Sequence, residues 1–160
     1  MRKNSSWKHE IESFLAQKRI AIAGVSRNGG EAANVILRKL RATGYETFPV
    51  NPAADRLEGA LCYPDLEAIP GGVDAVVVAT PPGAAPEIIR SCIAAGVRHV
   101  WMHRSFGPGS FSEEGVALAR ANGISVIPGG CPMMFCEPVD VGHRCMRWFL
   151  RLTGGLPKAA

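Results

Sequence analysis

The chain has 160 residues, 47% of them hydrophobic and 20% charged, enough for one domain with a proper core and too apolar for disorder throughout. Its net charge of +4 and pI near 9.0 suit an anionic ligand and equally a weak, nonspecific attraction to nucleic acid. The N-terminus has no apolar signal core and no apolar run is long enough to span a bilayer, so the expectation is a cytoplasmic protein with no membrane partner, whose odd number of five cysteines are free thiols rather than a disulfide framework.

Residues 6–18 predict an amphipathic first helix, with Trp7, Ile11, Phe14 and Leu15 at helical spacing; it is expected to cover the sheet. Residues 19–24 form an apolar run too brief for a helix that stops at Gly24. A loop of small and polar residues follows, and a helical pattern runs over 31–42, with Ala33, Ile36, Leu37 and Leu40 as its buried face. This is a buried strand, a Gly-rich turn and a helix N-terminus, a combination that brings backbone amides and a partial positive charge to a phosphate. The spacing Gly24-x-Ser26-x-x-Gly29 departs from G-x-G-x-x-G at its middle position, where the Ser26 hydroxyl can bond a phosphate but its β-carbon holds the ligand further off. A plain strand-to-helix turn is the alternative.

Residues 45–50 predict a second strand, ending at Val50-Asn51-Pro52 where an NAD-binding chain carries an acidic residue for the ribose. Residues 59–64 read as a short strand or extended connector, and 65–70 as a brief helical turn opened by Asp65. Residues 74–80, with the run Ala75-Val76-Val77-Val78-Ala79, are the clearest central strand, buried on both faces as a parallel sheet requires. The strand stops at Thr80-Pro81-Pro82, and open α/β sheets bind ligands at such carboxyl ends. A helix over 84–95, a strand over 97–102, a helix over 112–120 with Ser112 as its cap, a strand over 124–127 and a helix over 139–152 complete the chain. The alternation predicts an α/β fold: a Rossmann-like, doubly wound parallel sheet in a single three-layer domain over 19–135, with an added N-terminal helix over 1–18 and a C-terminal helix and tail over 136–160.

Gly24-Val25-Ser26, Val50-Asn51-Pro52, Cys62-Tyr63-Pro64-Asp65-Leu66, Val73-Asp74 and Pro81-Pro82, taken in this order, resemble the small CoA-binding Rossmann-fold proteins, which are similar to the CoA-binding domain of the succinyl-CoA synthetase alpha subunit. The resemblance covers about residues 17–135. It implies coenzyme A as the ligand, with Gly24, Val25, Ser26 and Arg27 at the phosphates and Asn51 and Pro52 beside them. Thr80, Pro81 and Pro82 would flank the nucleotide or pantetheine, and Cys131, in a cysteine-proline pair after the last strand, would lie at the mouth of the site, where a mixed disulfide with the CoA thiol is an alternative to a buried thiol. The segment Arg27-Asn28-Gly29-Gly30-Glu31 replaces the longer loop of relatives, and the synthetase's catalytic histidine belongs to a second domain, so ligase activity does not carry over.

Ser26 and Asn28 offer side-chain hydrogen bonds and Arg27 a charge-assisted one; a solvated arginine and an ordinary turn are the alternatives. Cys131, Cys136, His143 and Cys145, with His103, are metal-ligand residue types, but C-x4-C followed by H-x-C has no recognised tight-ligand spacing, so buried thiols are expected and no metal. Arg144, Arg147 and Arg151 make a basic stripe, with Cys145, Trp148, Phe149 and Leu152 opposite. The expected role is a helix covering the sheet, because three charges are a small footprint for nucleic acid. His103 could act as a base, but no nucleophile elbow or partner carboxylate is visible. The leading reading is a nucleotide-binding protein for CoA or acyl-CoA with no catalytic residue assigned, and a homodimer stays open. An NAD(P)-dependent oxidoreductase or sensor module and a ligand-free interaction domain are the competing readings.

Overall fold

The computed structural model describes residues 6–156; the tail from 157 and the basic residues Arg2, Lys3 and Lys158 lie outside the described residues. The elements run α1 (Ser6–Leu15), β1 (Arg19–Ala23), α2 (Ala32–Ala42), β2 (Glu46–Val50), β3 (Arg56–Leu57), β4 (Ala60–Leu61), β5 (Ala75–Val78), α3 (Ala85–Ala94), β6 (His99–Met102), α4 (Glu113–Ala121), β7 (Ser125–Pro128) and α5 (Val141–Thr153).

Five strands make one sheet in the order β2-β1-β5-β6-β7, every pair parallel. Beyond β2, Tyr63 pairs with Val50 through a single parallel bridge. It is the remnant of one more edge strand, and with it the order matches the doubly wound arrangement 3-2-1-4-5-6. The strand pattern has period two on both faces. Ile20, Ile22, Val77, Trp101 and Ile127 face α1 and α2, whereas Ala21, Val76, Val78, Val100 and Val126 face α3 and α4. The three-layer α/β architecture is as the sequence predicts. The first helix is a cover, with Phe14 meeting Trp101 edge-on at 5.3 Å.

Three details differ from expectation. Residues 65–70 form turns and no helix: the Asp65 carboxylate accepts from the Ala68 amide at 2.9 Å, and Pro70 stops any continuation. Residues 55–62 hold a tight hairpin of β3 and β4, whose turn puts Glu58 at φ +51 before Gly59 at +72. The third concerns α5. The face expected to cover the sheet points outward, with Trp148 65%, Phe149 50% and Leu152 67% exposed, while Leu150 is buried. Arg147 turns inward, donating to the Met134 carbonyl at 3.0 Å and lying over the Phe135 ring, so the arginine stem supplies packing that the sequence pattern assigns to the apolar stripe.

Candidate functional site

The strand order reverses between β1 and β5, and the connections leaving them diverge to opposite sides. That opens a crevice at their carboxyl ends. A cavity of about 430 Å³ occupies it, lined by Gly24 after β1, Asn51 and Pro52 after β2, Asp65 and Leu66 from the turns, Thr80 after β5, and Glu87, Ile88 and Ser91 of α3.

Gly24 makes the crevice floor. Its φ is +106, and a β-carbon there would sit 2.4 Å from the Ala79 carbonyl oxygen, so β1 and β5 can leave the sheet this close together only with glycine at this position. Thr80 forms the opposite wall. Its hydroxyl is buried with no hydrogen-bond partner among the described residues, an arrangement that folded proteins rarely leave uncompensated.

Of the other residues assigned by the sequence, Asn51 and Pro52 line this cavity, whereas Val25, Ser26, Arg27, Asn28, Pro81, Pro82 and Cys131 lie outside its lining. Asn51 ties the ends of β1 and β2 together: its Nδ2 donates to the Val25 carbonyl at 2.8 Å, and its Oδ1 accepts from the Ala53 amide at 2.8 Å. Ser26 Oγ accepts from the Asn28 amide at 3.1 Å, and Asn28 Nδ2 donates to Glu31 at 3.1 Å. Arg27 reaches across to the Ala53 carbonyl at 2.6 Å. Val25 is fully buried, so only its backbone faces the loop. Pro81 is exposed, and Pro82 opens a single 3-10 turn, Pro82–Ala84, that leads into α3. Cys131 departs from its expected place at the mouth. It is 1% exposed, packed with the α1 and α2 side of the core, and burial pushes its thiol up to about 11. A thiol so held is protonated at neutral pH and a poor nucleophile.

Sequence reasoning missed the brace beneath the loop. Asn34 is 1% exposed on α2. Its Oδ1 accepts from the Ser26 amide at 3.0 Å, and its Nδ2 donates to the Ser26 carbonyl at 2.8 Å and to Glu58 Oε1 at 2.7 Å. Glu58 also pairs with Arg38 at 2.7 Å, and Arg38 donates to the Gly29 carbonyl at 2.9 Å. The signal was present: Asn34 is a polar residue beside Ala33, Ile36 and Leu37 on an otherwise apolar face. The hydrogen bond from Asn34, reinforced by Arg38, holds the Glu58 carboxyl below its ordinary value of 4.5. A carboxylate so depressed adds stability above its unfolded pKa, and that stability is lost as pH falls through the folded value. Glu58→Gln is therefore expected to lower stability by about 1.5 kcal/mol at pH 7, with the gap to the parent narrowing below about pH 4.5 in urea titrations. A gap that stays constant down to pH 3 would show that the charge contributes nothing.

At the far side of the sheet end, Ser105 Oγ lies 3.2 Å from His103 Nε2. Burial, with His143 nearby, lowers the His103 pKa and keeps the ring neutral at pH 7. Among the described residues no three His, Cys, Asp or Glu side chains converge as a metal site, and no helix is long and apolar enough to cross a membrane.

The CoA binding domain family matches residues 18–137. The ADP-forming acetate–CoA ligase II of Archaeoglobus fulgidus is 32% identical over 108 residues, covering 66% of this chain; the match spans only 16% of that ligase. The uncharacterized protein YneT of Bacillus subtilis is 27% identical over 125 residues, covering 78% of this chain and 90% of YneT. Among solved structures, a hypothetical protein from Pyrococcus horikoshii superposes with a TM-score of 0.76 at 25% identity, over 85% of this chain and 93% of that one. The dinucleotide-forming acetyl-coenzyme A synthetase 1 of Ca. Korarchaeum cryptofilum, in complex with phosphate and ADP, superposes at 0.62 with 29% identity, over 73% of this chain and 26% of the synthetase chain. The glycine floor, the crevice at the strand reversal and the match across most of the chain agree: this protein belongs to the CoA binding domain family.

Proposed function

We propose that the protein binds coenzyme A or its acyl thioesters in the crevice between β1, β2 and β5, as a stand-alone binding protein of the cytoplasm. The glycine-floored crevice at the strand reversal, lined by Asn51, Pro52 and Thr80, carries this reading: it is an open cavity of about 430 Å³ at the place where open α/β sheets bind nucleotides. The diphosphate lies along the Gly24–Asn28 loop, where Ser26, Asn28 and the backbone meet it and Arg27 swings from Ala53 to pair with it. Asn51 and Pro52 form the side wall, and Pro81 and Pro82 the lip over which pantetheine leaves. Cys131 acts from beneath, as packing. The carboxylates of Asp65 and Glu87 line the far rim and turn the phosphates toward the Arg27 side. Glu31 stands at the N-terminus of α2 but makes no capping bond there; its carboxylate accepts from Asn28 Nδ2 instead, which leaves the first amides of the helix free for a phosphate.

An NAD-binding role is disfavoured because Asn51 occupies the ribose-binding place and both ends of its side-chain amide are bonded within the protein. Thermal shift separates the readings. CoA at about a hundred times its Kd is expected to stabilise by about 2.7 kcal/mol, roughly 5–10 °C in Tm, with NAD giving no shift. Thr80→Val is expected to leave the free protein as stable or more so in urea denaturation, because it removes a buried hydroxyl that has no partner among the described residues; a clear loss of stability would show that the hydroxyl is paired. No shift at millimolar CoA would support a ligand-free interaction domain.

A further inference from the structure

The family match ends at residue 137, and α5 follows it. This helix is apolar in two directions. Toward the protein it buries Leu150 and half-buries Met146. Away from it, Val141, Cys145, Trp148 and Leu152 recur at i, i+4, i+7 and i+11, a single stripe on the outer face, with Phe149 beside it. Val141 is 73% exposed and Trp148 65%. Of the six large apolar residues exposed among the described residues, four lie on this one helix, so the patch is concentrated rather than scattered. Arg144 and Arg151, both exposed, run along one flank of the stripe. Lys8, Arg147 and Arg151 line the adjoining groove between α1 and α5, where Glu12 is the only acid among the described residues. Asp140, at the start of the helix, is already paired with His143 at 2.6 Å.

We propose that α5 is a membrane-surface helix that lays this stripe into the interfacial layer of an anionic bilayer, with Arg144 and Arg151 on the lipid phosphates. An apolar face bearing Trp, Phe and Leu, flanked by arginines and low in overall hydrophobicity, is the composition of helices that lie in the plane of a membrane. Charge complementarity selects anionic lipid, since the surroundings of the stripe are net positive. A second copy of the chain fits less well. A helix of 13 residues is about 20 Å long, and its stripe offers a few hundred Å² against the roughly 800 Å² per partner of a stable protein interface. Two such helices would also bring like charges together.

The sequence supplies its own probe. Trp7 and Trp101 are buried at 7% and 0% exposure, so a change in tryptophan emission on adding lipid reports Trp148. The full chain would be mixed with vesicles of phosphatidylcholine and phosphatidylglycerol in equal parts, and with phosphatidylcholine alone. The expected result is a blue shift and co-sedimentation with the anionic vesicles, at least tenfold weaker with neutral vesicles or in 0.5 M salt. Trp148→Ser with Leu152→Ser should abolish sedimentation, and Arg144→Glu with Arg151→Glu should weaken it at least tenfold, all with an unchanged CoA thermal shift. The proposal does not rest on the CoA reading, so either can fail alone. Failure to sediment with anionic vesicles overturns it. So does a vesicle-free protein that sediments as a dimer and becomes monomeric in Trp148→Ser, because a second copy then covers the stripe.

Discussion

Gly24→Ala is expected to destabilise the fold by about 2–4 kcal/mol and to abolish the thermal shift with CoA. The two effects have one geometric origin. The added β-carbon would stand 2.4 Å from the Ala79 oxygen, 2.7 Å from the Ala79 carbonyl carbon and 3.2 Å from Thr80 Cγ2. The first two are backbone atoms of the strand end paired with β1, so no side-chain rotation relieves the contact. A φ of +106 adds strain of about 1–3 kcal/mol for any residue with a β-carbon, and the clash adds a cost like that of overpacking. Relief requires the ends of β1 and β5 to part, and that moves Thr80, which lines the cavity. Urea denaturation of the free protein measures the first effect and a CoA titration the second. A variant as stable as the parent would mean that the strand ends tolerate the separation, and the crevice floor would then not depend on glycine.

The second large effect is expected at Asn34. Asn34→Leu keeps the volume of the side chain on a buried face and removes three hydrogen bonds. The Ser26 amide and carbonyl lose their partners, and Glu58 keeps only Arg38. Each polar group left unsatisfied in a buried place costs about 1–3 kcal/mol, so a loss of about 3 kcal/mol is expected. The hydrophobic gain from leucine does not offset it, because the site is built around the loop backbone. Ligand affinity should fall along with stability, since Asn34 fixes the Ser26 backbone in the loop proposed to hold the diphosphate. Unchanged affinity in a destabilised variant would separate the brace from the site and make Asn34 a purely structural residue.

Much of the architecture was readable because it is written in local patterns. The run Ala75-Val76-Val77-Val78 can only be a strand buried on both sides, and the helix capped by Ser112 begins where its sequence signature places it, with Ser112 accepting from the Gly115 amide at 3.1 Å. The site was readable only in part. Gly24, Asn51, Pro52 and Thr80 sit at strand ends, and strand ends can be counted along the chain. The bond from Asn34 to Glu58 joins residues 24 apart through a hairpin whose turn places a glutamate at positive φ, and no local rule points to that pairing. The orientation of α5 was hidden for a different reason. Both of its faces carry apolar residues, so periodicity could not say which one turns inward, and the stem of Arg147 settled it. Cys131 looked accessible because it follows a strand end, but the turn Pro132–Met134 carries it back into the core.

The lone bridge between Val50 and Tyr63 also bears on how the molecule keeps to itself. The sheet ends in β2 on that side, and an uncovered edge strand invites another chain to add to it and to aggregate. In a parallel ladder the amide and carbonyl of one residue point the same way, and the Pro49 carbonyl faces outward, accepting from the Tyr63 amide at 2.9 Å. The missing amide of Pro49 therefore also faces outward, in the middle of the exposed edge. Asn51, the next outward donor, is already spent on the Tyr63 carbonyl at 2.9 Å. An incoming strand would find one blank position and one occupied position in succession, too little to hold a register, so the shortened sixth strand leaves this margin of the sheet resistant to fibre growth.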